Sequence, residues 1–113
     1  MKIREIENAK IPRLLKVRGI TLYPFILYAR IPSSSTRFHE YVHVEQIKRD
    51  GFLKFYFMYA VYFLRSWTRG YPWDESYMQI PYEVEAYAEQ EKFDLVYANK
   101  LAVLSEKIRK AND

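Results

Sequence analysis

Residues 35–51 read STRFHEYVHVEQIKRDG, and the interpretation of the whole chain depends on this segment. Ser35 or Thr36 suits the N-cap of a helix, because a hydroxyl there can accept a hydrogen bond from a free backbone N–H of the first turn. Gly51 suits the position after the last turn, where the backbone needs a conformation that glycine adopts without strain. The sequence therefore predicts a helix that runs to Asp50.

This helix contains an HExxH motif at residues 39–43. Residues four apart in an α-helix lie on one face, so His39 and His43 can bind one metal ion together. Glu40 lies on the neighbouring flank, where its carboxylate can take a proton from water without being a ligand. The chain has two histidines, and both are in the motif. The motif therefore predicts a metal centre with Glu40 as its general base.

A catalytic zinc site has three protein ligands and leaves a fourth position for water or substrate. The chain has no cysteine and no third histidine, so the third ligand has to be a carboxylate. The acidic candidates include Asp50, Asp74, Glu75, Glu83, Glu85, Glu89, Glu91 and Asp94.

The stretch 81–88, PYEVEAYA, narrows this choice. If it is helical, Glu83 and Glu85 point to nearly opposite sides. Glu83 shares its face with Ala86 and Gln90, whereas Glu85 lies among other charged residues on a solvated face. We therefore predict Glu83 as the third ligand. The small side chain of Ala86 would let the two metal-binding helices approach each other closely.

The order of the motifs, HExxH followed by ExxA at residues 83–86, resembles that of the gluzincin metallopeptidases, in particular the integral-membrane CAAX prenyl proteases. Small size and an aromatic helix between the motifs make the whole chain resemble the minigluzincins, soluble minimal scaffolds of those catalytic domains known from archaea. The resemblance implies a zinc endopeptidase with His39, His43 and Glu83 as Zn²⁺ ligands and Glu40 as the base.

The resemblance also implies latency, because such minimal proteins occur as zymogens in which a terminal segment lies over the cleft. The candidates for such a segment are the residues before Arg13 and those from about Ala102 onward.

With 113 residues the chain predicts one domain, 1–113. The resemblance implies that this is a single minimal metallopeptidase domain. Its 50% apolar content and many aromatic residues exclude a disordered tail. The runs 13–18 and 20–30, on either side of Gly19, are rich in residues that favour strands and predict a hairpin. Pro24 places the second strand at an edge, because proline cannot donate a hydrogen bond to a neighbouring strand.

Helices are expected after this hairpin. The second covers about Phe52–Thr68, and residues 70–80 form a turn-rich connection. A third begins at Pro81, which suits a first helical position, and runs through Tyr97. It either ends there or continues, after a break at Asn99, to Lys110. The fold class predicted is α+β: a small N-terminal antiparallel sheet followed by three or four helices, a minimal zincin-like scaffold.

The predicted function is a zinc-dependent metallopeptidase, latent in its intact form, with a peptide or protein as substrate. The strand Ile20–Ala29 could present an unpaired edge that binds an extended peptide by β-augmentation. Gln46 or Asp50 could orient the imidazoles, since both share their face of the helix. The group that stabilises the negative charge on the substrate stays open among Tyr77, Tyr82 and Tyr87.

Two alternatives belong to other classes of protein. One is a non-catalytic interaction module stabilised by zinc, and the other is a basic nucleic-acid-binding domain. Lys and Arg exceed Asp and Glu by 18 to 14, and a basic run occupies residues 107–110. However, the aromatic residues alternate with aliphatic rather than basic ones, so we expect no nucleic-acid partner.

The chain contains no apolar run of about 18 residues, so we expect no membrane span and a cytoplasmic location. Six aromatic residues between Phe55 and Phe63 leave room for peripheral contact with a membrane surface. The edge strand and the aromatic helix could also promote a homodimer.

Overall fold

A computed structural model describes residues 2–112, and their fold is α+β, as predicted. The strands are β1 (Arg4–Ile6), β2 (Gly19–Leu22) and β3 (Phe25–Tyr28). The helices are α1 (Lys10–Leu14), α2 (Ser34–Asp50), α3 (Phe52–Thr68), α4 (Trp73–Met78) and α5 (Pro81–Asn112). The sheet has the order β1-β3-β2, with β2 antiparallel and β1 parallel to β3. It is therefore mixed rather than purely antiparallel.

The hairpin lies later in the chain than predicted. Its turn consists of Tyr23 and Pro24, which join β2 to β3, whereas Gly19 is the first residue of β2. Proline is favoured in turns because its ring fixes φ and it has no N–H to leave unpaired. The run 13–18 is not a strand: α1 ends within it at Leu14, and the rest is a loop.

The two central helices agree closely with the prediction. Gly51, with a φ of +90°, ends α2, and α3 has the predicted bounds. The N-cap of α2 is Ser33 rather than Ser35 or Thr36, because the Ser33 hydroxyl accepts the hydrogen bond of the Thr36 N–H at 3.1 Å. Ser35 is thereby free for a contact with α5.

Within residues 2–112 four helices, α2 to α5, follow the sheet, in agreement with the predicted three or four. The short α4 lies in the segment predicted as a connection, where Asp74 and Glu75 favour a helix by interacting with the positive end of its dipole. The short α1 lies before β2. The predicted break at Asn99 is absent, and α5 continues through it to Asn112, because no glycine or proline interrupts this stretch.

The helix α2 lies between two groups of buried apolar side chains. Its Val44 packs with Ile26 and Tyr28 of β3, and its Ile47 packs with residues of the other helices. The second group consists of Ile47, Phe55, Ile80 and Tyr82. The helix α2 is thus packed against the sheet through Val44 and against the second group through Ile47. Because the helix cannot rotate between these two contacts, the packing fixes the direction in which the histidines of the HExxH motif point.

Candidate metal centre

The three ligands predicted from the sequence come together. One ligand atom each from His39, His43 and Glu83 lies within 4.8 Å of the others, and the three residues are between 1% and 5% exposed. Glu83 Oε1 is 2.9 Å from His39 Nε2 and 3.0 Å from His43 Nε2. The group could hold a metal ion. Ala86, one turn beyond Glu83, is fully buried, and α2 and α5 pack against each other.

The phase of α5 directs Glu83 and Glu85 differently, as the helical projection predicts. Glu83 points inward, and its second oxygen, Oε2, accepts a hydrogen bond from the Tyr59 hydroxyl at 2.7 Å. Glu85 is half-exposed, but it is not merely solvated: its Oε1 accepts hydrogen bonds from Gln46 Nε2 at 2.8 Å and from Arg49 at 3.1 Å.

The tautomer of His43 follows from the hydrogen bonds of Gln46. The Gln46 Nε2 donates to the Tyr82 carbonyl oxygen at 3.0 Å and to Glu85 Oε1, and both of these atoms can only accept. Gln46 Oε1 must therefore face the His43 Nδ1, 2.8 Å away, and this nitrogen must carry a proton. In the neutral ring, the lone pair on Nε2 then points towards Glu83.

The same arrangement occurs at His39. The Ser35 hydroxyl donates to Asp94 Oδ2 at 3.2 Å and accepts from Gln90 Nε2 at 2.7 Å. Because the Nε2 of Gln90 faces Ser35, its Oε1 faces His39 and accepts a hydrogen bond from His39 Nδ1 at 2.8 Å. In the neutral ring, the lone pair on His39 Nε2 is then directed at Glu83 Oε1.

These contacts show that the group suits a cation. In the neutral state of the rings, two imidazole lone pairs and a carboxylate oxygen face one another at about 3 Å, and acceptors at that distance repel unless a positive charge lies between them. A metal ion that accepts all three lone pairs would remove this repulsion. The neutral imidazole and the ionised carboxylate are also the states in which these side chains bind metals.

The pKa values of the cluster reflect the same attraction for positive charge. Burial by itself raises the pKa of the Glu83 carboxyl, but the hydrogen bonds with His39 and His43 outweigh it and hold this pKa well below its usual range. Burial by itself lowers the pKa of His43, but the hydrogen bond and the negative charge of Glu83 raise it above the ordinary value.

Glu40 is held apart from this group by the sheet. Its Oε2 accepts a hydrogen bond of 2.7 Å from the Thr21 hydroxyl of β2, and burial raises the pKa of its carboxyl. A Cβ atom on Gly19 would lie 3.2 Å from both Cγ and Oε1 of Glu40, so glycine is what lets β2 approach this closely. The predicted base is thus positioned by β2, whereas the ligands are positioned by α2 and α5.

Two cavities meet at Glu40. The first, of about 430 Å³, is lined mainly by apolar side chains of β2 and α3 and reaches His43 and Glu83. The second, of about 910 Å³, is more polar and reaches His39 and Gln90. Glu40, Gly19 and Tyr77 line both, so the two cavities are halves of one cleft, which we call the apolar half and the polar half.

The tyrosines proposed from the sequence separate in the structure. Tyr77 lines both halves of the cleft, and Tyr87 lines the polar half with its ring 4.4 Å from that of His39. Tyr82 lines neither half, and its hydroxyl donates to Asp50 Oδ2 at 2.7 Å. Asp50 also bonds Arg49, so its carboxylate is turned to these two partners and not to an imidazole. Of the two residues predicted to orient the imidazoles, Gln46 does so.

The predicted edge strand Ile20–Ala29 is wrong as one element, because the turn at Tyr23 and Pro24 divides it into β2 and β3. Only β2 lies at the edge beside the cleft, since β3 is the central strand. Near the hairpin the Tyr56 hydroxyl bonds both the Thr21 carbonyl oxygen and the Tyr23 N–H, so α3 occupies part of this edge. A peptide could add to β2 only around Gly19 and Ile20.

Neither terminal segment proposed for latency lines the cleft in residues 2–112. The strand β1 pairs with β3 on the side of the sheet away from β2, and residues 102–112 are exposed on the continuous helix α5. The cleft wall is instead formed in part by Leu14 at the end of α1 and by the loop 15–18. Latency stays a prediction, and within the described residues neither terminal segment lies over the cleft.

Several residues of the site lie outside the sequence motifs. The spacing in the sequence places Gln90 on the face of Glu83, and this is the one signal in the sequence for its contact with His39. Thr21 and Gly19, which hold Glu40, and Tyr59, which holds Glu83, come from distant elements and carry no local pattern.

Comparison of the chain with models of protein families, with curated proteins and with solved structures gives no match. The residues themselves therefore carry the functional argument.

Gln46→Leu and Gln90→Leu test the orientation of the imidazoles. Each change removes the acceptor for an Nδ1–H, and we expect about a 10–100-fold loss of metal affinity, measured with Zn²⁺ by competition against a chromophoric chelator. Gln79→Leu is the matched control, because the third glutamine of the chain bonds Ser66 outside the site. Affinities equal to that of this control would show that the glutamines do not orient the rings.

Glu83→Gln and Glu85→Gln test which acidic residue is the ligand. We expect Glu83→Gln to weaken Zn²⁺ binding by about 100-fold or more, because it removes the negative charge from the ligand group. Glu85→Gln should change the affinity little, since the Tyr82 carbonyl still fixes Gln46, and its exposed ion pair with Arg49 contributes at most about 1 kcal/mol to stability. The reverse order of affinities would contradict the assignment.

Proposed function

We propose that this protein is a zinc-dependent metallopeptidase that hydrolyses peptide bonds. The observation that carries the proposal is a buried group of two histidines and one glutamate beside a separate carboxylate, Glu40, which lines both halves of a cleft. Two histidines and a glutamate, with one position left open, are a ligand set of catalytic zinc. The resemblance of the motif order to the minigluzincins supports the same conclusion.

His39, His43 and Glu83 would hold the ion. A bound zinc ion would supply Lewis acidity, which activates water and polarises the carbonyl of a peptide bond. The other requirement is a group that moves the proton. Glu40 is suited to this role because the Thr21 hydroxyl holds Oε2, and both halves of the cleft reach the carboxylate. It would take the proton from the attacking water and give it to the leaving amine.

The walls of the cleft indicate how a peptide would bind. An extended segment could pair with β2 around Gly19, which brings its backbone past Glu40. The apolar half, lined by residues such as Ala60, Phe63 and Leu64, would then take a large apolar side chain of the substrate. Tyr77 lines both halves, and its hydroxyl could donate to the carbonyl oxygen as negative charge develops on it.

The two alternatives have less support. A structural zinc site is closed by four protein ligands, whereas the described residues bring three such groups together beside open cavities. For a nucleic-acid-binding domain, aromatic side chains would need to be free for stacking on bases. Phe55 and Tyr59 of α3 instead pack in the interior. Of the aromatic side chains that α3 does expose, Phe57 and Trp67 lie in a row with aliphatic rather than basic residues.

Glu40→Gln separates proton transfer from metal binding. We expect the variant to bind one equivalent of Zn²⁺ with unchanged affinity but to lose peptidase activity by about 10²–10⁴-fold, measured by mass spectrometry on an unbiased peptide library. Glu45→Gln, an exposed residue on the same helix, is the control.

Loss of the metal in Glu40→Gln would show that Glu40 is a ligand. A zinc-loaded wild-type protein that cleaves no peptide would contradict the proposed function. Iron in place of zinc in the purified protein would point to another chemistry, because two histidines and one carboxylate also bind Fe(II).

Ala60→Trp tests the apolar half of the cleft. In the wild-type protein, we expect cleavage beside large apolar residues. Filling the cavity should lower kcat/KM for a peptide with leucine at that position about tenfold relative to one with alanine. Val61→Trp, on the adjacent position outside the cavity, is the control and should leave this ratio unchanged. A ratio that both variants alter equally would exclude the cavity as the determinant.

A further inference from the structure

The side of α3 opposite its buried residues Phe55 and Ser66 exposes a row of apolar side chains. We call this row the outer face of α3, and it consists of Leu53, Phe57, Ala60, Val61, Leu64 and Trp67. Leu53 is 80% exposed and Phe57 68%. At 1.5 Å per residue the row is roughly 20 Å long, and an exposed apolar surface of this extent marks an interaction site.

The charged residues of α3 all have the same sign. Lys54 and Arg65 lie eleven residues apart, which is close to three full turns, so both are on one edge of the helix. Arg69 follows at the C-terminal end of α3. The chain has no acidic residue between Asp50 and Asp74, so α3 itself carries no negative charge.

We propose that the outer face of α3 docks on the surface of a bilayer that contains anionic lipids. The apolar row would enter the boundary between headgroups and acyl chains, while Lys54 and Arg65 reach the phosphate and carboxylate groups beside it. Trp67 suits the same boundary, where tryptophan is enriched. A second copy of the chain fits less well, because this face would bring its basic edge to a helix with no acidic residue.

The geometry is that of a helix lying on a membrane rather than crossing it. No helix within residues 2–112 combines the length and the apolarity that a membrane span needs. Ala60 and Leu64 belong both to the outer face and to the wall of the apolar half of the cleft, so a docked protein would have its cleft next to the lipid surface. The proposal does not depend on the proposed peptidase function.

Co-sedimentation of the full chain with two kinds of vesicle tests the proposal. We expect binding to vesicles of phosphatidylcholine with phosphatidylserine, weaker binding to phosphatidylcholine alone, and a decrease as salt is added. The double variant Phe57→Ser/Leu64→Ser should bind at least about tenfold more weakly, because two side chains no longer enter the apolar region. Lys54→Gln/Arg65→Gln should lose about fivefold for each charge removed.

The matched control is Leu101→Ser/Leu104→Ser on α5, where two leucines are exposed to a similar degree as Leu64. This variant should bind vesicles as the wild-type protein does, and stoichiometric Zn²⁺ binding would show that each variant is folded. The proposal is overturned by no binding to the anionic vesicles, by equal binding to both kinds, or by an equal loss in the α5 variant. It is also overturned if sedimentation velocity shows a dimer that Phe57→Ser/Leu64→Ser dissociates.

Discussion

The lone pairs of two imidazoles and one carboxylate oxygen meet in a buried space less than 5 Å across, and the surrounding fold has to hold them there. The two helices that supply them, α2 and α5, pack against each other, and the fully buried Ala86 lies one turn beyond Glu83. Apolar packing on both sides of α2 fixes the direction of its histidines. The repulsion between acceptors is what makes this arrangement suited to a cation rather than to an empty core.

Two hydrogen-bonded chains connect this centre to the surface. Each imidazole donates to a glutamine, Gln46 or Gln90, whose orientation is set by a partner beyond it. One chain ends at the carboxylate of Glu85 and the other at that of Asp94. Because both chains run between α2 and α5, the contacts that orient the ligands also join the two helices. The geometry of the centre and the packing of the helices are therefore one property of the molecule.

The sheet and α3 act on the other side of the centre. Thr21 and the missing side chain of Gly19 help to determine where the carboxylate of Glu40 lies, so the position of the proposed proton acceptor depends on β2 as well as on α2. The inner side of α3 supplies Tyr59 to Glu83, and its outer face is apolar and bordered by basic residues. One helix thus serves both the buried centre and an exposed surface.

The sequence alone determined the features that depend on local geometry. The spacing of the histidines, the end of α2 at Gly51, the bounds of α3 and the choice of Glu83 over Glu85 all follow from helical periodicity and backbone conformation. Only the tertiary structure decided the partners of the site. Ser35 bonds a residue 59 positions away, and Thr21 bonds Glu40 across 19 positions. Such contacts depend on how separate elements pack against each other, and the periodicity within one segment does not predict that packing.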